Sequence, residues 1–170
     1  FPDITFGLNI DLRYKNFSLS ALFQGASLFN SMIADAIRGP LTNQGNAFEF
    51  QYKHRWQPDL SNPNVNINPN VKLPAIYPEG TNNNNNKASD FWLQDATYLR
   101  LKNLNISYTL PEKLVKAIGF QDINLFVAGN NLLTLSKLGI YKKSIDPEAT
   151  DYQKFYPPVK TVSFGINVTL

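Results

Sequence analysis

The sequence predicts an all-β fold of about five long antiparallel strands, arranged as in a membrane-spanning β-barrel. Several stretches alternate apolar and polar residues over most of a strand's length. The connections between these stretches are alternately short and very long. No window approaches 18 consecutive apolar residues, which excludes a membrane-spanning helix, whereas barrel strands hide their hydrophobicity in alternation.

The first predicted hairpin begins with ITFGLNIDLRY, in which every second residue from Ile4 to Tyr14 is apolar. These 11 residues, at about 3.3 Å each and tilted, could cross about 30 Å of hydrocarbon, whereas strands of soluble proteins more often have about 5 or 6 residues. Lys15-Asn16 is predicted to form the turn, because Asn tolerates the left-handed backbone that a two-residue hairpin requires. The next strand, FSLSALFQG, continues the alternation.

A long connection follows, from residue 26 to about residue 95. The stretch SLFNSMIADAIRG is predicted to hold one or two helical turns that end at Gly39-Pro40. The stretch from Gln57 to Asn86 is dense in Asn and Pro, which predicts an irregular, solvated loop rather than a packed core.

Three further strands are predicted, in ATYLRLKNLNISYTL, DINLFVAGNNLLTLS and the final TVSFGINVTL. In the first of them the apolar residues change from odd to even positions near Lys102-Asn103, which predicts a β-bulge. The connection PEKLVKAIGF is predicted to be a short helix that starts after Pro111 and stops at Gly119. A second irregular loop is predicted at residues 136–158.

The connections, in order, are Lys15-Asn16, residues 26–95, residues 110–121 and residues 136–158. Consecutive antiparallel strands place alternate connections at opposite ends, so one end receives both short turns and the other both long loops. This asymmetry is typical of outer-membrane barrels, which have short periplasmic turns and longer extracellular loops. Alternation alone also describes a half-buried sheet, so a soluble β-sandwich that binds carbohydrate is the alternative.

In a barrel the two sets of alternating side chains would face different surroundings. The predicted lipid face consists of Ile4, Phe6, Leu8, Ile10, Leu12, Phe17, Leu19, Phe23, Ile106, Val162, Phe164, Ile166 and Val168. The predicted lumen face consists of Asn9, Asp11, Arg13, Ser20, Gln24, Asn105, Ser163 and Asn167.

The composition argues against several kinds of site. The net charge of +3 is small and the basic residues are scattered, so no nucleic-acid partner is predicted. Cysteine is absent and His54 is the single histidine, which excludes disulfides, thiolate metal sites and a two-His metal site. The sequence shows no Ser-His-Asp set and no Gly-rich phosphate loop. We therefore predict a chain that is not an enzyme and uses no metal or cofactor.

Aromatic residues in the long loops are the better candidates for function. Aromatic faces stack on sugar rings and anchor protein interfaces, whereas at headgroup level they form an interface belt. The run Asn82 to Asn86 could touch sugar hydroxyls, although a mobile linker is favoured there. The predicted substrate or partner contacts are Arg55, Trp56, Tyr77, Trp92 and Tyr141, and Tyr152 and Tyr156 share the same loop context.

Four stretches carry a resemblance to a known family. SDFWLQDATYLRLKNLNISYTLP, LFVAGNNLLTLSKLGIYKKSIDPE and YPPVKTVSFGINVTL look like consecutive strands near the C-terminus of SusC/RagA-type TonB-dependent outer-membrane transporters. FPDITFGLNIDLRYKNFSLSALFQG resembles an upstream hairpin of that family. The resemblance implies that residues 1–170 are the C-terminal part of a large outer-membrane barrel of about 22 strands, with the plug domain absent from this chain.

The resemblance also implies partners for the complete transporter. These are the remaining barrel and plug portion, a SusD-like lipoprotein that lids the extracellular face, TonB acting through the missing N-terminal part, outer-membrane lipid, and a glycan or peptide substrate.

The end of the sequence is similar to the C-terminal signal that barrel proteins present to their assembly machinery. Alternate apolar residues run up to the final position, in a strand that could add to an exposed sheet edge. The alternative is that Leu170 is simply one more lipid-facing residue. The predicted assembly signal comprises Phe164, Gly165, Ile166, Val168 and Leu170.

Overall fold

The computed structural model of the chain describes residues 2–41, 45–77, 84–149 and 158–170. Its elements in chain order are β1 (Ile4–Tyr14), β2 (Phe17–Ser27), β3 (Asn30–Met32), α1 (Asp35–Arg38), α2 (Glu49–His54), β4 (Leu93–Asp95), β5 (Tyr98–Thr109), α3 (Glu112–Ala117), β6 (Asp122–Ser136) and β7 (Thr161–Thr169). Short 3₁₀ turns lie at Asp90–Trp92 and Gly139–Tyr141.

The chain divides into two compact units. The sheet unit comprises Phe1–Phe29, Thr97–Ser136 and Pro157–Leu170, and the loop unit comprises Asn30–Ala96 and Lys137–Tyr156. In the sheet unit, five antiparallel strands are ordered β1-β2-β5-β6-β7, so each long strand pairs with the next long strand along the chain. The predicted five-strand antiparallel architecture is confirmed.

The strand registers bring the alternating residues of all five strands onto common faces. Leu8 of β1 lies opposite Phe23, and Phe23 lies opposite Leu101 of β5. At the other side of the sheet, Val127 of β6 lies opposite Phe164. Because paired residues share a face, the predicted apolar set occupies one face of the sheet and the predicted polar set the other.

The predicted β-bulge in β5 is confirmed at Lys102. Leu22 pairs with Asn103, but the next residue of β2, Phe23, pairs with Leu101, so Lys102 is an extra residue on β5. Since side-chain direction alternates with period two, this insertion turns Leu101 back onto the apolar face.

The neighbouring strand carries a matching irregularity. Leu101 pairs with Leu133 of β6 and Asn103 pairs with Asn130, so two residues of β6 face one residue of β5. One of the two, Asn131, has a φ of 51°. Asn tolerates this left-handed conformation at a small cost, which suits it to the irregular position.

Both short connections have the predicted form, with one correction. The residue with positive φ in the β1–β2 turn is Lys15, at 51°, and not Asn16 as predicted. The Asn16 side chain instead donates a hydrogen bond of 2.6 Å to the carbonyl of Thr109, which ties this turn to the end of β5. After α3, Gly119 has a φ of 85°, the left-handed conformation that ends a helix.

In the loop unit, α1 ends before Gly39 as predicted, whereas α2 was not anticipated. The stretch from Gln57 to Asn86, predicted to be a solvated loop rather than a packed core, nevertheless contributes the buried Leu73. Residues from both long loops pack together as a small core, and the Lys137 ammonium of the second loop lies 3.3 Å from the Asp95 carboxylate of the first. The buried apolar residues of this unit are Ile33, Leu73, Trp92, Ala96, Leu138, Tyr141 and Ile145.

Candidate functional site

The polar face of the sheet carries a cross-strand network of amide and hydroxyl groups. The Asn103 amide donates to Asn130 Oδ1 over 2.7 Å, and the Asn130 amide donates to the Thr161 hydroxyl over 3.0 Å. Between β2 and β5, the hydroxyls of Ser18 and Ser107 lie 2.6 Å apart. Such a face suits water or protein rather than hydrocarbon, where polar groups are costly.

The opposite face is apolar across all five strands and exposed in this chain. Leu8 is 55% exposed, and Phe164 and Ile166 are 78% and 64% exposed. A water-soluble protein rarely leaves so continuous an apolar surface uncovered. A sheet with one apolar and one polar face is typical of a barrel wall, which has lipid on one side and a polar interior on the other.

An aromatic row crosses the apolar face at its short-turn end. Tyr14 pairs with Phe17, and Phe17 pairs with Tyr108. The Phe17 and Tyr108 ring centroids are 4.5 Å apart, and the Lys15 ammonium lies 5.3 Å from the Tyr14 ring centroid. Aromatic side chains flanked by a basic residue are typical of a membrane interface.

Sequence reasoning missed this row. The interface-belt alternative was applied to aromatic residues of the long loops, Trp92 and Tyr141 among them. The sequence could have predicted the row, because Tyr14, Phe17 and Tyr108 all lie at strand ends next to short turns.

In the loop unit, the structure brings Arg55 against an aromatic side chain that the sequence had not singled out. The Arg55 guanidinium lies 3.8 Å from the centroid of the Tyr52 ring and donates a hydrogen bond to the Tyr52 carbonyl. Tyr52 is 63% exposed and Trp56 is 37% exposed. Tyr52, Arg55 and Trp56, which we call the α2 patch, present a half-buried cation and two exposed rings at the end of α2.

Asparagine side chains hold the backbone under the α2 patch. The Asn68 amide donates to the carbonyls of Lys53 and Arg55, over 3.0 and 2.8 Å. The Asn66 side-chain oxygen Oδ1 accepts from the backbone N–H groups of Gln57 and Asn68. These Asx-type bonds substitute for regular secondary structure, so residues 57–70 are held by their own asparagine side chains.

The other predicted contact residues fall into two groups. Tyr77 is exposed, whereas Trp92 and Tyr141 are buried. The Trp92 indole donates to the Asn85 carbonyl over 2.8 Å, and the Tyr141 ring meets Phe50 edge-on at 5.3 Å between centroids. Burial raises the pKa of Tyr141 to about 12.

Trp92 and Tyr141 are therefore packing residues of the loop unit. We leave them out of the proposed contact surface. Tyr152 and Tyr156 lie outside the described residues, as do Asn82 and Asn83 of the asparagine run.

The residues of the predicted assembly signal lie on or just after β7. Phe164, Ile166 and Val168 share the apolar face, and the chain continues past the strand to the exposed Leu170. Gly165 faces the polar side, where the Phe126 ring occupies the space that a Cβ atom would take. The glycine thus has a packing role, and the assembly role stays a prediction.

Within residues 2–41, 45–77, 84–149 and 158–170, no cluster of three or more His, Asp or Glu side chains could hold a metal ion. His54 is engaged in the loop unit, with Nδ1 2.9 Å from the Asn70 carbonyl oxygen. Over the same described ranges, no helix is both long and apolar enough to span a membrane.

Comparison with known proteins identifies relatives along almost the whole chain. The chain is 30% identical over 185 residues to TonB-dependent receptor P3 of Formosa agariphila, an alignment that covers 98% of the chain and 16% of the receptor. It is 26% identical over 182 residues to TonB-dependent receptor P26 of the same organism, covering 99% of the chain and 17% of that receptor. No protein-family model matches the chain.

Solved structures give the same answer for the fold. The RagAB peptide transporter superposes with a TM-score of 0.66 at 25% identity, covering 99% of this chain and 17% of that chain. The RagAB peptide importer in the "open-open" state superposes with a TM-score of 0.63 at 25% identity, covering 100% and 17%. This chain spans about one sixth of the length of the proteins it matches.

Proposed function

Because the chain belongs to the SusC/RagA-type TonB-dependent transporters, we propose that it forms part of the barrel wall of an outer-membrane importer. The two-faced sheet is the observation that carries the proposal. Its apolar face would contact outer-membrane lipid, and its hydrogen-bonded polar face would line the lumen or contact the plug. The role is structural and not catalytic, in keeping with relatives that are named receptors and importers.

The sheet has two open edges, β1 and β7, within the described residues. Hydrocarbon does not tolerate unpaired backbone groups, so open edges must be closed by other strands. We assign that role to the remaining barrel portion of the same transporter. The soluble β-sandwich alternative is wrong, because the chain superposes on part of the RagAB transporter and has the all-β fold of its barrel.

The proposed orientation follows from the lengths of the connections. The two short connections, at Lys15-Asn16 and α3, lie at one end of the sheet, next to the aromatic row, and would be periplasmic. Residues 26–95 and 136–158 would be extracellular. Protease added to intact cells should cut only these long loops, and cleavage confined to residues 111–120 would contradict the orientation.

The proposed cargo and partners rest on the same family membership. The structural neighbours are named peptide importers, which favours peptide fragments over glycans as substrate. The loop unit, with its α2 patch, would meet the substrate or a SusD-like lid lipoprotein, since loops on a rigid scaffold commonly carry binding. TonB would act through the plug portion of the complete transporter.

Cysteine labelling tests the proposed faces. In the full-length transporter, Leu8→Cys should react with a lipid-phase maleimide and Asn9→Cys with a membrane-impermeant one, because the two side chains point to opposite faces. Ile166→Cys and Asn167→Cys are a matched pair on β7. Strong lipid-phase labelling at Asn9 with none at Leu8 would reverse the assignment.

Loop variants test the proposed contact surface. Deleting residues 60–88 should leave the barrel in the membrane but reduce uptake or lid association. Trp56→Ala combined with Arg55→Ala should do the same with less disturbance, and Lys72→Ala, an exposed change in the same unit, is the control. Normal uptake with an intact lid complex in the double variant would count against a role for the α2 patch.

A further inference from the structure

The apolar face of the sheet unit contains a groove of about 520 Å³. Two rows of paired residues line it, each crossing three strands, with β6 in the middle. The lining side chains on this face are Ile106, Tyr108, Leu125, Val127, Phe164 and Ile166.

The shape of the groove follows from the sizes of these side chains. Val127, in the central strand, lies opposite the larger Phe164 on β7 and Ile106 on β5. The larger neighbours therefore stand higher above the sheet than the centre does. The volume lies in the range of small-molecule sites, about 300–1,000 Å³, and the lining is almost wholly apolar.

The groove ends at the aromatic row, and the connection that follows β5 carries a basic residue. Tyr108 lines the groove and also belongs to the row, and β5 ends one residue later. The turn between β5 and β6, which are two of the lining strands, carries the exposed Lys113. On the neighbouring turn, the Lys15 ammonium lies over the Tyr14 ring of β1, two strands away from Tyr108 and outside the groove. Neighbouring turns of this sheet are about 10 Å apart, since each strand spacing is about 4.8 Å.

We propose that this groove binds an anionic phospholipid, with an acyl chain along Val127 and Leu125 and the headgroup phosphate at Lys113. In such a lipid, apolar acyl chains are followed by a charged headgroup. The protein has the same order, with an apolar groove followed by the Tyr108 ring and then by the exposed Lys113. Lys116 pairs with Glu112 and is assigned no headgroup role. The inference rests on the proposed lipid-facing placement of the apolar face, and it goes further by naming one bound lipid.

Native mass spectrometry of the purified full-length transporter tests the site, with phosphatidylglycerol and phosphatidylcholine titrated into detergent micelles. Val127→Trp fills the centre of the groove and should abolish the retained phosphatidylglycerol. Leu8→Trp adds the same ring to the same face outside the groove and should retain it. Lys113→Gln should weaken phosphatidylglycerol binding about fivefold, with no change for phosphatidylcholine, and Lys15→Gln on the neighbouring turn is the matched control.

The variants are compared only as heat-modifiable barrels extracted from the outer membrane, which keeps loss of folding separate from loss of lipid. Equal phosphatidylglycerol retention by Val127→Trp and the wild type would overturn the groove assignment. Equal affinity for both lipids in the wild type would overturn the headgroup assignment. Either result would leave the proposed barrel role intact, provided that the barrel still inserts into the membrane and that Leu8→Cys still reacts with the lipid-phase probe.

Discussion

Replacing Leu8 by Arg would place a charge in the middle of the apolar face of β1. Leu8 pairs with Phe23 and is flanked on its strand by residues of the same face. Two comparison variants share the strand and the new side chain. Leu12→Arg lies on the same face nearer the aromatic row, and Asn9→Arg lies on the polar face.

The expected cost follows from depth in the bilayer. Leu8 is six residues from Tyr14, or about 20 Å along the strand, which becomes about 15 Å of depth at a tilt of about 40°. Leu12 is two residues from Tyr14, which gives about 5 Å. An Arg costs about 2–4 kcal/mol at the midplane and about 0–1 kcal/mol near an interface. Leu8→Arg should therefore lower the free energy of unfolding by about 2–4 kcal/mol, and Leu12→Arg by about 1 kcal/mol or less.

Denaturant titration of the full-length transporter in lipid vesicles measures these costs, with heat-modifiability as the readout of the folded barrel. Asn9→Arg should cost little, since its side chain enters a polar environment. Equal costs for Leu8→Arg and Leu12→Arg would refute the depth argument. A larger cost for Asn9→Arg than for Leu8→Arg would refute the assignment of the faces.

Four further outcomes are expected. Gly165→Ala should cost about 1–3 kcal/mol because its Cβ overlaps the Phe126 ring, and a double-mutant cycle with Phe126→Leu should remove that cost. Because the pKa of Tyr141 is raised from 10.0 to about 12, the loop unit should lose up to about 2–3 kcal/mol as pH rises from 10 to 12, and Tyr141→Phe should abolish this loss in denaturation measured against pH. Asn68→Ala removes two hydrogen bonds to backbone carbonyls and should cost about 1–3 kcal/mol, seen as faster proteolysis of the α2 patch. Truncation of the last two residues should leave unassembled, protease-sensitive chains if the ending is an assembly signal, whereas loss of the apolar area of Leu170 alone would cost about 2–3 kcal/mol and leave wild-type levels of barrel.

The sequence alone determined the sheet. Side chains alternate across a strand, so a period of two marks both the strands and their faces, and each of the five long strands lies where that period was found. The bulge at Lys102 could be predicted because an inserted residue moves the apolar side chains of its strand from odd to even positions. Pro111 and Gly119 marked the short helix between β5 and β6 because each has a strong local backbone preference.

Only the tertiary structure decided which residues of the long loops are packed and which are exposed. Phe50 and Tyr141 belong to different loops and meet in one core, a contact that leaves no periodic trace in either segment. Trp92 is buried, and its indole donates a hydrogen bond to the backbone carbonyl of Asn85, which lies seven residues earlier in an irregular stretch. Long-range contacts of this kind involve a few residues among many that are chemically equivalent. The composition of the loops therefore indicated aromatic side chains as candidates, but it could not separate the exposed Trp56 from the buried Trp92.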